Sequence, residues 1–249
     1  MIWDFFTPEN RVWYCWRLNG AAAYLRKDNE LWQTAFKTIP FYERLGGFGG
    51  PEVEEPPLSL TLSCSSGSGN EVFLHPYLSS LPYILRVQEK LRIAPGQQIS
   101  FTAALPPVLK FELTSALVLE ETMPFILPRT LFGPDTMNGE FGHALAASLG
   151  QELKPAALIY CNIRIINNTK MALEPGHIAV YAEPLNVYVN QGILISDAVE
   201  LLFSEADCRT NIIEIKDEAY RLVSKGLKCG VGETIARRSM DIIKDITRF

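Results

Sequence analysis

The stretch EKLRIAPGQQISFTAALP, residues 89–106, alternates apolar and polar positions on either side of a Pro-Gly pair. Leu91 and Ile93 share one side of an extended chain, Arg92 takes the other, and Ile99 and Phe101 resume the inward side. Pro95 presets φ at the second position of a turn, and Gly96 supplies the positive φ that a type II turn requires at the third. Residues 169–184, TKMALEPGHIAVYAEP, repeat the pattern with Met171, Leu173, Pro175-Gly176, Ile178 and Val180. Each passage reads as strand, tight turn and strand, closed by a proline (Pro106, Pro184) that a central strand would not take. Shared hairpin geometry accounts for the likeness; an internal duplication is the alternative.

The same alternation predicts strands near 11–18, 21–26 and 31–37, joined by Asn19-Gly20 and by the turn Lys27-Asp28-Asn29-Glu30. A further strand is expected from Leu58 to Cys64, after the Gly- and Pro-rich loop 42–57. The run ALIYCNIRIINN (157–168) is strongly apolar, and LNVYVNQGILIS (185–196) reads as two strands around Asn190-Gln191-Gly192. GHALAASLG (142–150) fits either one helical turn or a strand. From residue 216 the spacing turns helical, in KDEAYRLVSKGLK and again in ETIARRSMDIIKDITRF. There Ile235, Ser239, Ile242, Ile243, Ile246 and Phe249 form one stripe, and Gly226 caps the first helix. The expected fold is all-β: two β-sandwich-like halves, or one large sandwich, with a C-terminal helical segment. Residues 1–118 and 119–215 form the halves and 216–249 the helical tail.

Composition narrows the functions. Of 249 residues, 47% are hydrophobic and 20% charged, enough to bury a core, and a net charge of −5 argues against a nucleic-acid partner. The N-terminal MIWDFFTPENR lacks a secretory signal, and the most apolar stretch is broken by Arg164, so direct membrane insertion is not expected. Five cysteines without close pairing fit free thiols in the cytoplasm.

Chemical motifs are sparse. HExxH, CxxC, GxSxG and phosphate-loop patterns are missing, and no cofactor or metal is expected. Of the three histidines, His143 stands out, in a Gly-rich segment with Asp135 and Glu140 nearby, where an imidazole beside carboxylates can act as base or ligand. Arg164 either faces outward on a half-exposed strand or is buried and paired with a carboxylate such as Glu140. Trp3, Trp13, Trp16 and Trp32 read as core, with a sugar-binding platform as the alternative.

Taken together, WRLNGAAAYLRKDNELWQTAF, LPYILRVQEKLRIAPGQQISFTAALPPVLKFEL, PFILPRTLFGPDTMNGEFGHAL and CNIRIINNTKMALEPGHIAVYAEPLNVYVNQGILISDAVELLF resemble the archaeal and bacterial family called domain of unknown function 432. The resemblance spans roughly residues 13–215. It is most specific at Leu131-Phe132-Gly133 with Gly139-Glu140, and at the Ile-Arg-Ile-x-Asn run 163–167. Leu131 stands where the family pattern has an aromatic, and Gly142-His143 also departs from it. The family has no established activity. Some members are encoded beside, or fused to, small-conductance mechanosensitive channels, so the resemblance implies a membrane-channel partner.

The leading expectation is a non-enzymatic cytoplasmic binding or regulatory module. It would meet a partner protein, or a second copy of itself, through a sheet edge or through Ile242, Ile246 and Phe249. A small-ligand or carbohydrate-binding sandwich is the alternative, with Phe132, Glu140, His143 and Arg164 as candidate ligand contacts. Third comes an enzyme using Glu140, His143 and Arg164, which requires those three to converge in a cleft.

Overall fold

The computed structural model describes residues 2–132, 139–205 and 208–227. Twenty-one strands and a single turn of 3-10 helix (Phe41–Glu43) make up its regular structure. The protein is all-β.

Strands are numbered in chain order. The first sheet follows the order β5 (Phe48–Val53), β1 (Trp13–Leu18), β2 (Ala21–Asp28), β3 (Leu31–Lys37), β6 (Ser63–Ser66). Asn19 and Gly20 turn β1 into β2 with φ of 54° and 99°, the left-handed pair that a two-residue hairpin needs. Both faces of its central strands are buried. Tyr14, Trp16 and Leu18 join the main core, while Trp13, Cys15, Tyr24 and Ala35 form a smaller cluster with Leu60. All four tryptophans are buried, so they form core and leave no surface platform of stacked rings. The strand expected at Leu58–Cys64 begins only at Ser63, and Leu58 is fully exposed. Its alternation had no sheet face to serve.

A three-stranded sheet pairs β11 (Val118–Thr122), β10 (Val108–Leu113) and β7 (Val72–Tyr77), and β4 (Ile39–Pro40) pairs with β12 (Phe125–Ile126). The fourth sheet has the order β13 (Arg129–Phe132), β14 (Glu140–Ala147), β8 (Tyr83–Val87), β16 (Ile178–Val180). Gly142–Ala147 of GHALAASLG therefore belong to a strand, and Leu149-Gly150 turn after it. The last sheet contains β20 (Cys208–Ile213), β19 (Ala198–Phe203), β15 (Ile159–Asn167), β18 (Ile193–Ser196), β17 (Val187–Asn190) and β21 (Arg221–Ser224), with β9 (Gln98–Leu105) paired along β15. Three sheets draw strands from both sides of residue 118, since β4 pairs with β12, β8 with β14 and β9 with β15. One core cluster runs from Ile2 to Val223.

The two Pro-Gly passages fold differently from their shared pattern. Gly96 has φ 70°, and Gln97 N–H donates to Ala94 O at 3.1 Å, the expected type II turn. Gly176 lacks a positive φ, and Met171 is exposed. Neither passage closes on itself. They pair with each other, through Ile93 N–H to Leu173 O and Leu173 N–H to Ile93 O, both 2.9 Å.

Asn167, wholly buried at the end of β15, fastens that junction. Its Nδ2 donates to Ile93 O (2.9 Å) and Met171 O (2.8 Å), and its Oδ1 accepts from Thr169 N–H (3.0 Å) and Thr169 Oγ1 (2.8 Å). Ile163, Ile165 and Asn167 all point inward from β15. The Ile-Arg-Ile-x-Asn run is therefore an inward face closed by an amide clamp.

The C-terminal helical expectation fails over residues 216–227. Asp217–Tyr220 turn, and Arg221–Ser224 form β21, antiparallel to β17. The Ala, Leu, Arg and Lys of this segment favour helix, but an open strand edge with free N–H and C=O groups is the stronger partner. Gly226 caps no helix; a Cβ there would lie 2.1 Å from Pro184 O. The stripe with Ile242, Ile246 and Phe249 lies outside the described residues, as does Asp135.

Candidate functional site

The residues singled out in the sequence separate in the fold. Phe132 and Glu140 face each other across the β13–β14 hairpin. Gly139 permits the close approach, since a Cβ there would lie 2.8 Å from Leu131 Cγ. Glu140 and His143 are three residues apart on β14, which sends their side chains to opposite faces. Glu140 is half-buried and accepts from Tyr181 OH at 3.3 Å. Arg164 pairs with Glu200 on the neighbouring strand β19, Nη1 to Oε2 3.4 Å, with its side chain 44% exposed. The outward orientation holds, and the partner is Glu200 in place of Glu140. No cleft gathers Glu140, His143 and Arg164.

His143 is buried and sits 3.0 Å (Nε2) from Ser79 Oγ, beside the Tyr83 ring. Serine and histidine at this distance resemble a nucleophile and its base. The third member is missing: Nδ1 finds no hydrogen-bond partner among the described residues, and Arg129 stands opposite in register. Burial, with Arg129 adding to it, draws the imidazole below its ordinary pKa and weakens it as a base. The pair ties β14 to the chain before β8.

Ser79 leads to a different place, a cavity of about 260 Å³ where β7, β10 and β11 meet β17 and β21. Leu78, Val108, Leu185 and Val187 give it apolar walls. Ser79, Ser80, Ser224, Lys225, Glu183 and the Lys110–Glu121 pair (3.0 Å) give it polar groups of both signs. Ser224 is 5% exposed, and its buried Oγ has no hydrogen-bond partner among the described residues. A hydroxyl out of water with nothing to bond costs about 1–3 kcal/mol. The segment after β21 closes one side, held by Leu227 N–H to Glu183 O (3.0 Å) and Gly226 N–H to Asn186 Oδ1 (3.2 Å).

Behind this wall a polar network joins β7 and β10 to β21. His75 Nδ1 donates to Val223 O at 3.1 Å, because a carbonyl can only accept. Its Nε2 lies 3.8 Å from Glu112 Oε2, which also accepts from Tyr77 OH at 3.2 Å. Burial, then Glu112, push the Tyr77 phenol up to about 12, so it remains a donor. Lys110 Nζ sits 4.6 Å over the Tyr77 ring.

Burial lowers the pKa of both His75 and His143 below the ordinary 6.5, although Glu112 pulls His75 the other way. The unfolded chain thus binds more protons than the folded one once pH drops below about 6.5. Stability is full above that value and declines as pH falls towards the folded-state pKa values. Urea midpoints measured between pH 7.5 and 5 should fall, and His75→Gln and His143→Gln should each flatten the decline. A midpoint that rises on acidification would reverse the sign.

Sequence reasoning did not find Ser79, Ser224 or Lys225, and it read Gly226 as a helix cap. Serines and lysines are abundant, and only the pairing of β21 with β17 brings Ser224 to the cavity. Among the described residues, no three His, Cys, Asp or Glu side chains are placed to hold a metal. No helix there is long and apolar enough to cross a membrane.

The molecule is thus an all-β protein with a small mixed-polarity cavity at the meeting of two sheets. The chain belongs to the family described as protein of unknown function DUF432, whose model matches residues 2–238. That match extends beyond both ends of the stretch whose motifs resemble the family. No curated protein and no solved structure matches the chain.

Proposed function

We propose that this protein is a non-catalytic binding and regulatory module whose cavity takes a small polar ligand. The observation that carries this reading is the Ser224 hydroxyl, buried in the cavity wall without a partner. Once the Ser224 side chain turns toward the cavity, a ligand there can bond a hydroxyl that has no partner among the described residues. Lys225 and Glu183 at the same site suit a zwitterion or a neutral polyol better than a strongly charged molecule. The apolar walls would bury its carbon skeleton. The Ser79–His143 pair, with no orienting acid among the described residues and a weakened base, supports binding over catalysis.

A protein partner fits the same reading. Leu45, Val53 and Leu58 are more than three-quarters exposed, or close to it, around the edge strand β5. A channel partner, suggested by the family resemblance, would meet the protein there or through the C-terminal stripe. Ligand occupancy would be passed on through β21.

The test is a thermal-shift panel of free amino acids and polyols on the wild type and on Ser224→Ala. Removing an unpartnered hydroxyl should leave the ligand-free protein as stable or up to about 1 kcal/mol more stable. The same change should weaken the responding ligand about tenfold, the equivalent of about 1.4 kcal/mol. A destabilised ligand-free variant, or a ligand bound equally by both proteins, would overturn the proposal.

A further inference from the structure

A second cleft, of about 500 Å³, lies between the 3-10 turn and the β14 strand. Phe41, Tyr42 and Arg44 form one side, and Ala144–Ala147 with Ser148 form the other. Arg44 is half-buried with its guanidinium 4.1 Å above the Phe41 ring, a placement that fixes the planar head in the cleft. It has no ion pair and no side-chain hydrogen bond among the described residues. That is unusual for a partly desolvated cation, since the chain carries 28 acidic residues. Among the described residues, no acidic side chain lines this cleft. Glu43, Glu89 and Glu152 neighbour the lining residues in sequence, and Glu89 is engaged by Leu149 N–H at 3.2 Å. Gln88, Ser148 and Gln151 add neutral hydrogen-bonding groups to the lining. Burial draws the guanidinium below its ordinary pKa, a sign that its charge is poorly compensated.

We infer that this cleft is a binding site for a small organic anion, with the oxyanion head on Arg44 and the apolar body between Tyr42 and the alanine floor of β14. The guanidinium fork matches a carboxylate or a phosphate, and the side-chain amides of Gln88 and Gln151 can donate N–H bonds to either. The alanines Ala144 and Ala146 on the outward face of β14 leave the space that a longer side chain would fill. This site is separate from the Ser224 cavity, so either reading can fail alone.

The experiment is a titration of the full chain with benzoate, phenyl phosphate and neutral benzamide, read by isothermal calorimetry and by NMR shifts. Both anions should bind, and benzamide much more weakly. Arg44→Gln should weaken the anions at least tenfold, while Arg44→Lys retains part of the affinity. Ala146→Leu, at an exposed position, should block the cleft without touching the arginine. Ser224→Ala should change none of these values. A larger loss for phenyl phosphate than for benzoate in Arg44→Lys would assign the site to phosphate esters, and the reverse order to carboxylates. Absence of anion binding, equal binding by wild type and Arg44→Gln, or benzamide matching benzoate would overturn the inference.

Discussion

Asn167→Asp should destabilise the protein by about 3 kcal/mol or more at pH 7 and recover part of that loss in acid. The two side chains have the same shape, so packing is conserved and only the hydrogen-bonding pattern changes. In the wild type the amide donates to Ile93 O and Met171 O and accepts twice from Thr169. A carboxylate keeps the two accepted bonds and confronts two carbonyl oxygens with negative charge in a wholly buried site. Two lost bonds and two unsatisfied acceptors cost about 1–3 kcal/mol apiece. Burial raises the carboxyl pKa in the folded state above the unfolded value of about 3.9, so protonation favours folding. The penalty should therefore be full above the folded-state pKa and shrink as pH falls through it towards about 3.9. A protonated acid restores one donor of two, so recovery stays incomplete. Urea denaturation of both proteins between pH 7 and 4 measures this directly. A constant difference across that range would mean that the amide is not the clamp, whatever the size of the loss.

That residue also shows how far the sequence carries. Strand periodicity locates β15, and the alternation Ile163, Ile165, Asn167 gives its inward face, because side chains alternate at a period of two. An asparagine ending such a run reads locally as a turn residue. Its actual partners, Ile93 and Met171, are brought to it by pairing between two passages 80 positions apart, which no local pattern encodes. The Pro-Gly passages mislead for the same reason: strand, turn and strand is also what two segments look like when they pair with one another. The Asn19-Gly20, Asn29 and Gln191-Gly192 turns were legible, since a positive φ is a local demand that few residues meet.

The candidate site was hardly legible at all. His143 drew notice as a rare residue among glycines, and its burial against Ser79 turns it into a tie between strands. Arg164 was readable as outward because it interrupts an apolar strand, but Glu200 lies across a parallel pairing that sequence order does not suggest. Ser224 carried no signal, because the segment around it has helical propensity and becomes a strand only through the open edge of β17. Function here depends on long-range pairing, and propensity speaks only for neighbours.

Gly226→Ala tests the site most severely. A Cβ at this position would stand 2.1 Å from Pro184 O, 2.2 Å from Pro184 C and 2.7 Å from Leu185 N. These are backbone atoms, so no side-chain rotation can relieve the overlap. The chain must move away from 184–185, and that breaks Leu227 N–H to Glu183 O and Gly226 N–H to Asn186 Oδ1. Overpacking of this kind costs about 1–3 kcal/mol. Leu227 and Lys225 would leave the cavity wall with it, so the responding ligand of the thermal-shift panel should lose nearly all of its stabilising effect. The core below, from Trp16 to Phe111, is untouched, and the far-ultraviolet spectrum should remain that of the wild type. Asn186→Ala separates the two consequences, because it removes one tether of the closing segment without any clash. It should reduce ligand binding by a smaller factor at little cost in stability. Full ligand response in Gly226→Ala would mean that the segment after β21 does not close the cavity, and the binding reading would have to do without Lys225 and Leu227.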